Sequence, residues 1–368
     1  MTEKKRTSDK SISVGGSGGK VLMSGNEAVA EAAVRAGCRG YFGYPITPQN
    51  EFTGYMSWRM PEVGGAFVQS ESELSAINMV FGASVAGVRA MTSSSSPGIS
   101  LKQEGISYLA GCELPAVILN VMRGGPGLGN IGPSQADYFQ ATRGGGHGDY
   151  RTIVLAPHTV PEAVKLTKLA FDLADRYRNP VLILMDGILG QMMEPIPEWG
   201  PLRDPPRIEK RWALTGARGR DPRRICSLFL GEGALEEHNK KMQKKYEEIK
   251  EKESRAELYQ VDDADLIIVA YGSPARLCRQ VVKKLRGGGT KAGMVRPITL
   301  WPFPGNYIPV DRERIFVVEL SAGQLIEDVE LAVKGRVPIS FYGRPGGVFF
   351  SVEEIYENIL TTLRRDQI

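Results

Sequence analysis

Pro115-Ala-Val-Ile-Leu-Asn-Val-Met122 runs straight into Arg123-Gly124-Gly125-Pro126-Gly127-Leu128-Gly129, and the reading of this stretch decides the fold. A short apolar run between a proline and a glycine cluster reads as a strand buried on both faces. Toward the N-terminus the same rhythm repeats. Ala90–Thr92 leads into a helix over Ile99–Ala110, Ala66–Gln69 into Glu71–Ala86, and Tyr41–Ile46 into a short helical stretch after Pro48. Val21–Met23 precedes an amphipathic segment, Asn26–Ala36. Toward the C-terminus, strands at Thr152–Leu155 and Pro180–Leu184 flank a helix at Val160–Asp175. Short buried strands alternating with helices predict an α/β unit, a mostly parallel sheet covered on both faces.

The rhythm breaks after residue 188. Pro195, Pro197, Pro201, Pro205, Pro206 and Pro222 predict an extended connector. Residues 236–257 follow as a charged helix whose apolar stripe is Met242, Tyr246, Ile249 and Ala256. A second α/β unit starts at Asp265, with strands at Leu266–Ala270, Ile315–Glu319 and Val337–Tyr342 and helices at Ala275–Leu285 and Gln324–Val333. The domain reading is a disordered Ser/Gly-rich tail over 1–20, a first domain over 21–190, a connector over 191–263 and a second domain over 264–368.

Composition narrows the function classes. The net charge of +4 is concentrated in the first twenty residues, so nucleic-acid and membrane-surface binding find no support in the remainder. No apolar run approaches the length of a membrane span, and no secretion signal opens the chain, so a cytoplasmic location is expected. Cys38, Cys112, Cys226 and Cys278 form no C-x-x-C, and His147, His158 and His238 lie at no metal spacing. A self-contained iron–sulfur or zinc site is therefore not expected in this chain.

Four segments carry residues that a core does not need. Tyr44-Pro45-Ile46-Thr47-Pro48 follows a strand, and its prolines hold an extended loop that presents Thr47 at the sheet's carboxyl edge. A rigid turn with Thr47 as a helix cap is the plainer alternative. Gln69-Ser70-Glu71-Ser72-Glu73 opens a helix; Ser70 and Glu73 have capping-box spacing, yet the charge-free run from Leu74 to Val85 implies a buried helix with a carboxylate at its positive end. Thr92-Ser93-Ser94-Ser95-Ser96-Pro97-Gly98 is a small-side-chain loop suited to a polar ligand. The fourth is the glycine stretch already quoted. Gly127-x-Gly129-x-x-Gly132 formally matches a dinucleotide fingerprint, so an NAD(P)-dependent Rossmann dehydrogenase is one alternative; Pro126 and Pro133 spoil the context. The better reading has the glycines admitting a ligand to the backbone and Arg123 gripping a carboxylate or phosphate.

In this order and spacing, Tyr44-Pro45-Ile46-Thr47-Pro48, Gln69-Ser70-Glu71-Ser72-Glu73, Ser96-Pro97-Gly98-Ile99-Ser100 and Arg123-Gly124-Gly125-Pro126 resemble the alpha subunit of the 2-oxoacid:ferredoxin oxidoreductases. The resemblance continues through Gln135-x-Asp137, His147-Gly148, Ala156-Pro157, Tyr271-Gly272-Ser273, Arg296-Pro297-x-Thr299-Leu300 and Glu319-x-x-x-Gly323-Gln324. Pro48-Gln49-Asn50-Glu51 and the hydroxyl run look most like the branched-chain (3-methyl-2-oxobutanoate) type; the 2-oxoglutarate enzymes more often read Pro-Ser-Ser and Ser-Gly-Pro-Gly there. The resemblance implies a pyrimidine-side thiamine-diphosphate domain followed by a transketolase-C-like domain. It puts Glu73, nine residues before Gly82, on the cofactor-activating glutamate, and Thr47 and Arg123 on the substrate carboxylate. Tyr44, Pro45, Ile46, Ser96 and Gly98 fall on the cofactor's surroundings. It further implies a beta subunit holding Mg²⁺ and an iron–sulfur cluster, [4Fe-4S] clusters in partner subunits, a gamma subunit, a ferredoxin-like delta subunit or external ferredoxin, and coenzyme A as co-substrate.

Overall fold

A computed structural model describes residues 19–202 and 208–365, and all but the last two residues of the expected N-terminal tail lie outside that range. In chain order the first half contains β1 (Lys20–Ser24), α1 (Gly25–Arg35), β2 (Gly40–Gly43), α2 (Asn50–Glu62), β3 (Ala66–Gln69), α3 (Glu73–Val85), β4 (Ala90–Ser94) and α4 (Ser96–Gly111). There follow β5 (Ala116–Met122), α5 (Tyr138–Arg143), β6 (Ile153–Leu155), α6 (Val160–Tyr177), β7 (Pro180–Asp186), α7 (Gly187–Gln191) and β8 (Met193–Pro197). The second half holds α8 (Ala234–Glu253), β9 (Ala256–Tyr259), β10 (Leu266–Val269), α9 (Gly272–Gly287), β11 (Ala292–Pro297) and β12 (Thr299–Trp301). It closes with β13 (Arg314–Glu319), α10 (Leu325–Val333), β14 (Ile339–Gly343) and α11 (Val352–Arg365). None of the described helices is long and apolar enough to cross a membrane.

The strand that decides the fold, β5, lies inside a seven-stranded sheet ordered β12-β6-β7-β5-β4-β2-β3, with all seven of its residues buried. Every pairing in that sheet is parallel except β12 on β6. From β2 the chain steps outward to β3 and then back across to β4. That reversal creates a switch point, the place where a crevice opens at the carboxyl ends of strands. A second, five-stranded sheet, β14-β13-β10-β11-β9, is parallel except for β9.

The structure departs from the sequence reading in several places. Instead of joining the parallel sheet, β1 pairs antiparallel with β8 and clips the start of the connector to α1. Met242, Tyr246 and Ile249 are the buried stripe of α8 as expected, but Ala256 lies beyond it in β9, because the chain turns extended at Ser254. The charge-free run of α3, Leu74 to Val85, is buried on one face only: Leu74 is 46 % exposed, and Met79 and Gly82 also face outward. Apolar content reported hydrophobicity there, not burial.

Buried polar contacts help tie the two halves together, two of them beside the switch region. Gln135, fully buried, donates to Tyr271 O and accepts from Leu320 N, both at 2.9 Å. Asp186 ends β7, caps α7 through the amides of Ile188 and Leu189, and accepts from Ser273 N (3.0 Å) and Ser273 Oγ (2.7 Å) at the start of α9. Gly272 has φ +59°, and a side chain there would press on Gln135 and Asp186. Burial raises the Asp186 carboxyl pKa against these donors.

Candidate functional site

Four loops leave the carboxyl ends of β2, β3, β4 and β5 side by side. After β2, Tyr44 and Pro45 stand exposed, while Ile46 and Thr47 are half-buried. Gln49, fully buried, fastens this loop: its Nε2 donates to Tyr44 O at 3.3 Å, and its Oε1 accepts from Ser93 Oγ at 2.6 Å and Thr53 Oγ1 at 3.1 Å. Thr47 does not cap α2; its Oγ1 accepts from Asn50 Nδ2 at 3.2 Å.

After β3 the expected capping box is absent. Ser72 is the N-cap of α3 and accepts from Ser75 N, while Ser70 Oγ donates to Gly43 O and Ser72 O. Glu73 is thereby the first helical residue, with no capping duty. It is 6 % exposed, and its carboxylate has no hydrogen-bond partner among the described residues. Glu71, two residues earlier, is exposed and takes the Ser75 hydroxyl.

After β4, α4 starts at Ser96. A Cβ on Gly98 would lie 2.6 Å from Glu73 Oε1 and 2.1 Å from Ser94 Oγ, so only glycine lets the carboxylate rest on this turn. One turn further along α4, buried Lys102 donates from Nζ to the backbone carbonyl of Glu73 at 3.3 Å. The hydroxyls of Thr92, Ser94 and Ser95 are buried without partners among the described residues.

After β5, the Arg123 amide donates to Ser96 Oγ at 3.0 Å. The Ser96 hydroxyl in turn donates to Asp137 Oδ2 at 2.6 Å, and Asn120 braces both, its Oδ1 on Ser96 N and its Nδ2 on Asp137 Oδ2. Burial raises the Asp137 carboxyl pKa, opposed by these two donors. The buried Arg123 guanidinium donates from Nη1 to Thr47 O (3.0 Å) and from Nη2 to Leu128 O (3.1 Å), and its Nε has no partner among the described residues.

Thr47, Ser96 and Arg123 thus form one bonded set; Glu73 and Lys102 form another over Gly98, and both meet at the start of α4. Tyr44, Pro45 and Ile46 line the rim. The glycine stretch behaves differently from its reading. It folds back so that Gly124 N donates to Gly132 O, no helix of dinucleotide-binding length follows, and the space at Gly124 and Gly132 is taken by Asn130 and by Gly346–Gly347 of the second half. Gly124, Gly129 and Gly132 admit the protein's own chain, whereas Gly125 and Gly127 face open space. Gln49, Lys102 and Asn120 were not singled out from sequence for the site. Asn120, the one polar residue in an otherwise apolar strand, was a signal that could have been read.

Residues 31–260 match the family model described as pyruvate flavodoxin/ferredoxin oxidoreductase, thiamine diP-bdg, and residues 264–355 match pyruvate:ferredoxin oxidoreductase core domain II. A ketoisovalerate oxidoreductase subunit of Methanothermobacter marburgensis is 50 % identical over 92 % of this chain and 96 % of its own. A 2-oxoglutarate synthase subunit of Archaeoglobus fulgidus is 39 % identical over 88 % of this chain and 94 % of its own. Among solved structures, the 2-oxoglutarate:ferredoxin oxidoreductase of Magnetococcus marinus superposes with TM-score 0.83 at 27 % identity, covering 93 % of this chain and 65 % of that one. The present chain thus spans about two thirds of that longer chain.

Proposed function

Since this chain belongs to the pyruvate flavodoxin/ferredoxin oxidoreductase family, we propose that it is the thiamine-side subunit of a branched-chain 2-oxoacid:ferredoxin oxidoreductase, converting a 2-oxo acid and coenzyme A into acyl-CoA and CO₂ with reduction of ferredoxin. The observation that carries the substrate class is the near full-length match at 50 % identity to a ketoisovalerate subunit.

The residues fit one half of a thiamine diphosphate site. The Glu73 carboxylate takes no hydrogen bond among the described residues, and the buried, unpartnered hydroxyls of Ser94 and Ser95 cost free energy until a polar ligand meets them. When bound, thiamine diphosphate supplies the electron sink that lets the bond to the substrate carboxylate break. Glu73 would hold its aminopyrimidine ring and exchange a proton with it at the carboxylate. Tyr44, Pro45, Ile46, Ser96 and Gly98 would wall the ring in. Arg123 has two of its five donors engaged, and the free Nε with an adjacent N–H offers the substrate carboxylate a planar fork. Thr47, whose carbonyl holds that guanidinium, would add its hydroxyl.

The other half would come from a partner. In the glycine loop after β5, Gly124, Gly129 and Gly132 are packed against the protein itself, which leaves only Gly125 and Gly127 open and no continuous diphosphate cradle. Large apolar side chains stand exposed around the crevice, at Tyr44, Leu74, Leu101 and Leu128. A beta subunit seated there would bring Mg²⁺, the diphosphate contacts and an iron–sulfur cluster; gamma and delta subunits or external ferredoxin would complete the electron path through [4Fe-4S] clusters. Mixed with such partners, the complex should reduce ferredoxin with 3-methyl-2-oxobutanoate at a kcat/KM at least about tenfold above that for 2-oxoglutarate. The opposite preference would favour the 2-oxoglutarate reading, which the 39 % identity to a 2-oxoglutarate synthase subunit keeps as the second candidate.

A further inference from the structure

One side chain in the segment that joins the two halves faces away from the joint. Gln135, Ala136, Tyr138 and Phe139 hydrogen-bond the second half at Tyr271, Gln324 and Asp328. Asp137, in their midst, turns its half-buried carboxylate the other way, to the start of α4. There Oδ2 accepts from both Ser96 Oγ (2.6 Å) and Asn120 Nδ2 (2.8 Å). A hydroxyl has one proton to give, and Ser96 has a rival acceptor for it in Arg123 O at 3.3 Å. The carboxylate is nearer and charged, so it takes the proton. That leaves a Ser96 lone pair facing the Arg123 amide, which donates to it at 3.0 Å.

We propose that Asp137 is a positioning residue for Arg123, acting through the Ser96 hydroxyl to fix the point from which the guanidinium reaches into the crevice. The inference rests on the reading of Arg123 as the grip on the substrate carboxylate, and deepens it by naming what sets that grip. The far end of the guanidinium is held by Thr47 O and Leu128 O, both in loops. Just beyond Arg123 the bond from Gly124 N to Gly132 O belongs to the glycine loop as well. The Ser96 bond is of another kind. Asn120 and Arg123 lie three residues apart at the end of β5, and Asn120 Oδ1 also accepts from Ser96 N at 3.1 Å. The bonds from Asn120 to Asp137, to Ser96 and to Arg123 therefore close a ring on the buried strand. Without the carboxylate the Ser96 hydroxyl turns onto Arg123 O and the ring opens. A misplacement of about 1 Å at a substrate grip is enough to cost on the order of 100-fold in rate.

The test uses the assembled complex and a double-mutant cycle on kcat/KM for 3-methyl-2-oxobutanoate. Asp137→Ala should lower kcat/KM at least about tenfold, chiefly through KM. Asp137→Asn presents its carbonyl oxygen to the same two donors and should stay within about threefold of wild type. In an Arg123→Ala background, Asp137→Ala should cost less than about twofold, because no guanidinium is left to misplace. A residue that only supports the fold would cost the same factor in both backgrounds, and that result would overturn the proposal, as would equal losses in Asp137→Asn and Asp137→Ala. Ser96→Ala breaks the ring at its middle link without touching the joint. It should show the same non-additivity with Arg123→Ala, and it decides the matter if Asp137→Ala does not assemble. A crystal structure of either variant complex should find the Arg123 guanidinium off Thr47 O; an unmoved guanidinium overturns the proposal equally. Should Arg123→Ala keep full kcat/KM, the reading of Arg123 as the carboxylate grip falls, while the crystal structure still decides whether Asp137 positions Arg123.

Discussion

Glu71 and Glu73 are two residues apart and physically opposite: one is solvated and hydrogen-bonded to Ser75, the other buried over Gly98. Because Ser72 caps α3, exchanging either carboxylate for an amide leaves the helix intact. Glu73→Gln is therefore expected to assemble normally and lose at least about 100-fold in kcat, whereas Glu71→Gln should stay within about 0.5 kcal/mol of wild type in stability and turn over normally. Steady-state kinetics with a melting curve for each variant check this; equal losses would mean the register is wrong. Arg123→Ala should lower kcat/KM by on the order of 2–4 kcal/mol, equally for every 2-oxo acid tried, since the carboxylate is common to all. Arg123→Lys should already raise KM, and Thr47→Val should act in the same direction more weakly. A penalty confined to one substrate would instead place Arg123 in the side-chain pocket. Glu73, Thr47 and Arg123 stood out in the sequence because each interrupts a strand-to-helix turn with a group that packing does not require. Lys102 gave no such sign, since a lysine inside a helix reads as solvated until the helix facing it is known.

At the scale of elements, the closeness of α3 and α4 depends on Gly98. Gly98→Ala gains helix propensity but drives a methyl against Ser94 Oγ and Glu73 Oε1, so a net cost of roughly 1–3 kcal/mol and a displaced Glu73 are expected. The measurements are a denaturant midpoint and kcat, and activity should fall further than stability does. Most elements near the site were legible because buried parallel strands are short apolar runs, and β3 follows its reading to the residue. The strands β9, β11 and β12 were passed over because their hydrophobic pattern is interrupted by groups such as Glu257, Arg296 and Thr299, whose partners lie far away in sequence. A ladder that depends on long-range pairing leaves little local trace.

For the whole molecule, the decisive polar cluster sits between the two halves. Arg296, 2 % exposed, grips Glu162 of α6 through both terminal nitrogens (3.1 and 2.8 Å) and Glu257 of β9 through Nε (2.7 Å). Burial works to raise the Glu162 carboxyl, but the His158 ring at 2.5 Å and the Arg296 guanidinium outweigh it and hold the carboxyl down at about 2. A lowered native pKa means stability that is fully present above the ordinary glutamate value of 4.5 and is lost as pH falls through about 2. Its size is about 2–3 kcal/mol. Acid unfolding of Glu162→Gln should accordingly lose part of its dependence on pH across that window, read by circular dichroism, the remainder belonging to Glu31, Glu113 and Glu257, which are also held low. Arg296→Met leaves two half-buried carboxylates facing each other and should cost about 3 kcal/mol or more at neutral pH. The sequence showed two α/β units and a connector; it did not show that they share a core, because Tyr138, Tyr271 and Leu325 read as separate local hydrophobics.

Between Pro297, the last residue of the second sheet's β11, and Thr299, the first of the first sheet's β12, there is a single residue, Ile298. The chain crosses from one sheet to the other in that one step, and β12 then closes the edge of β6 with Trp301 standing edge-on against Tyr246 of α8. A protein built this way is not a pair of beads on a string, and cutting it in the connector does not yield two modules. A fragment ending at residue 263 would leave β6 with an open hydrogen-bonding edge and should be recovered as aggregate. Supplying the missing C-terminal piece in trans should restore a soluble, stoichiometric pair, so a gene for this fold would tolerate being split only if both products are made together.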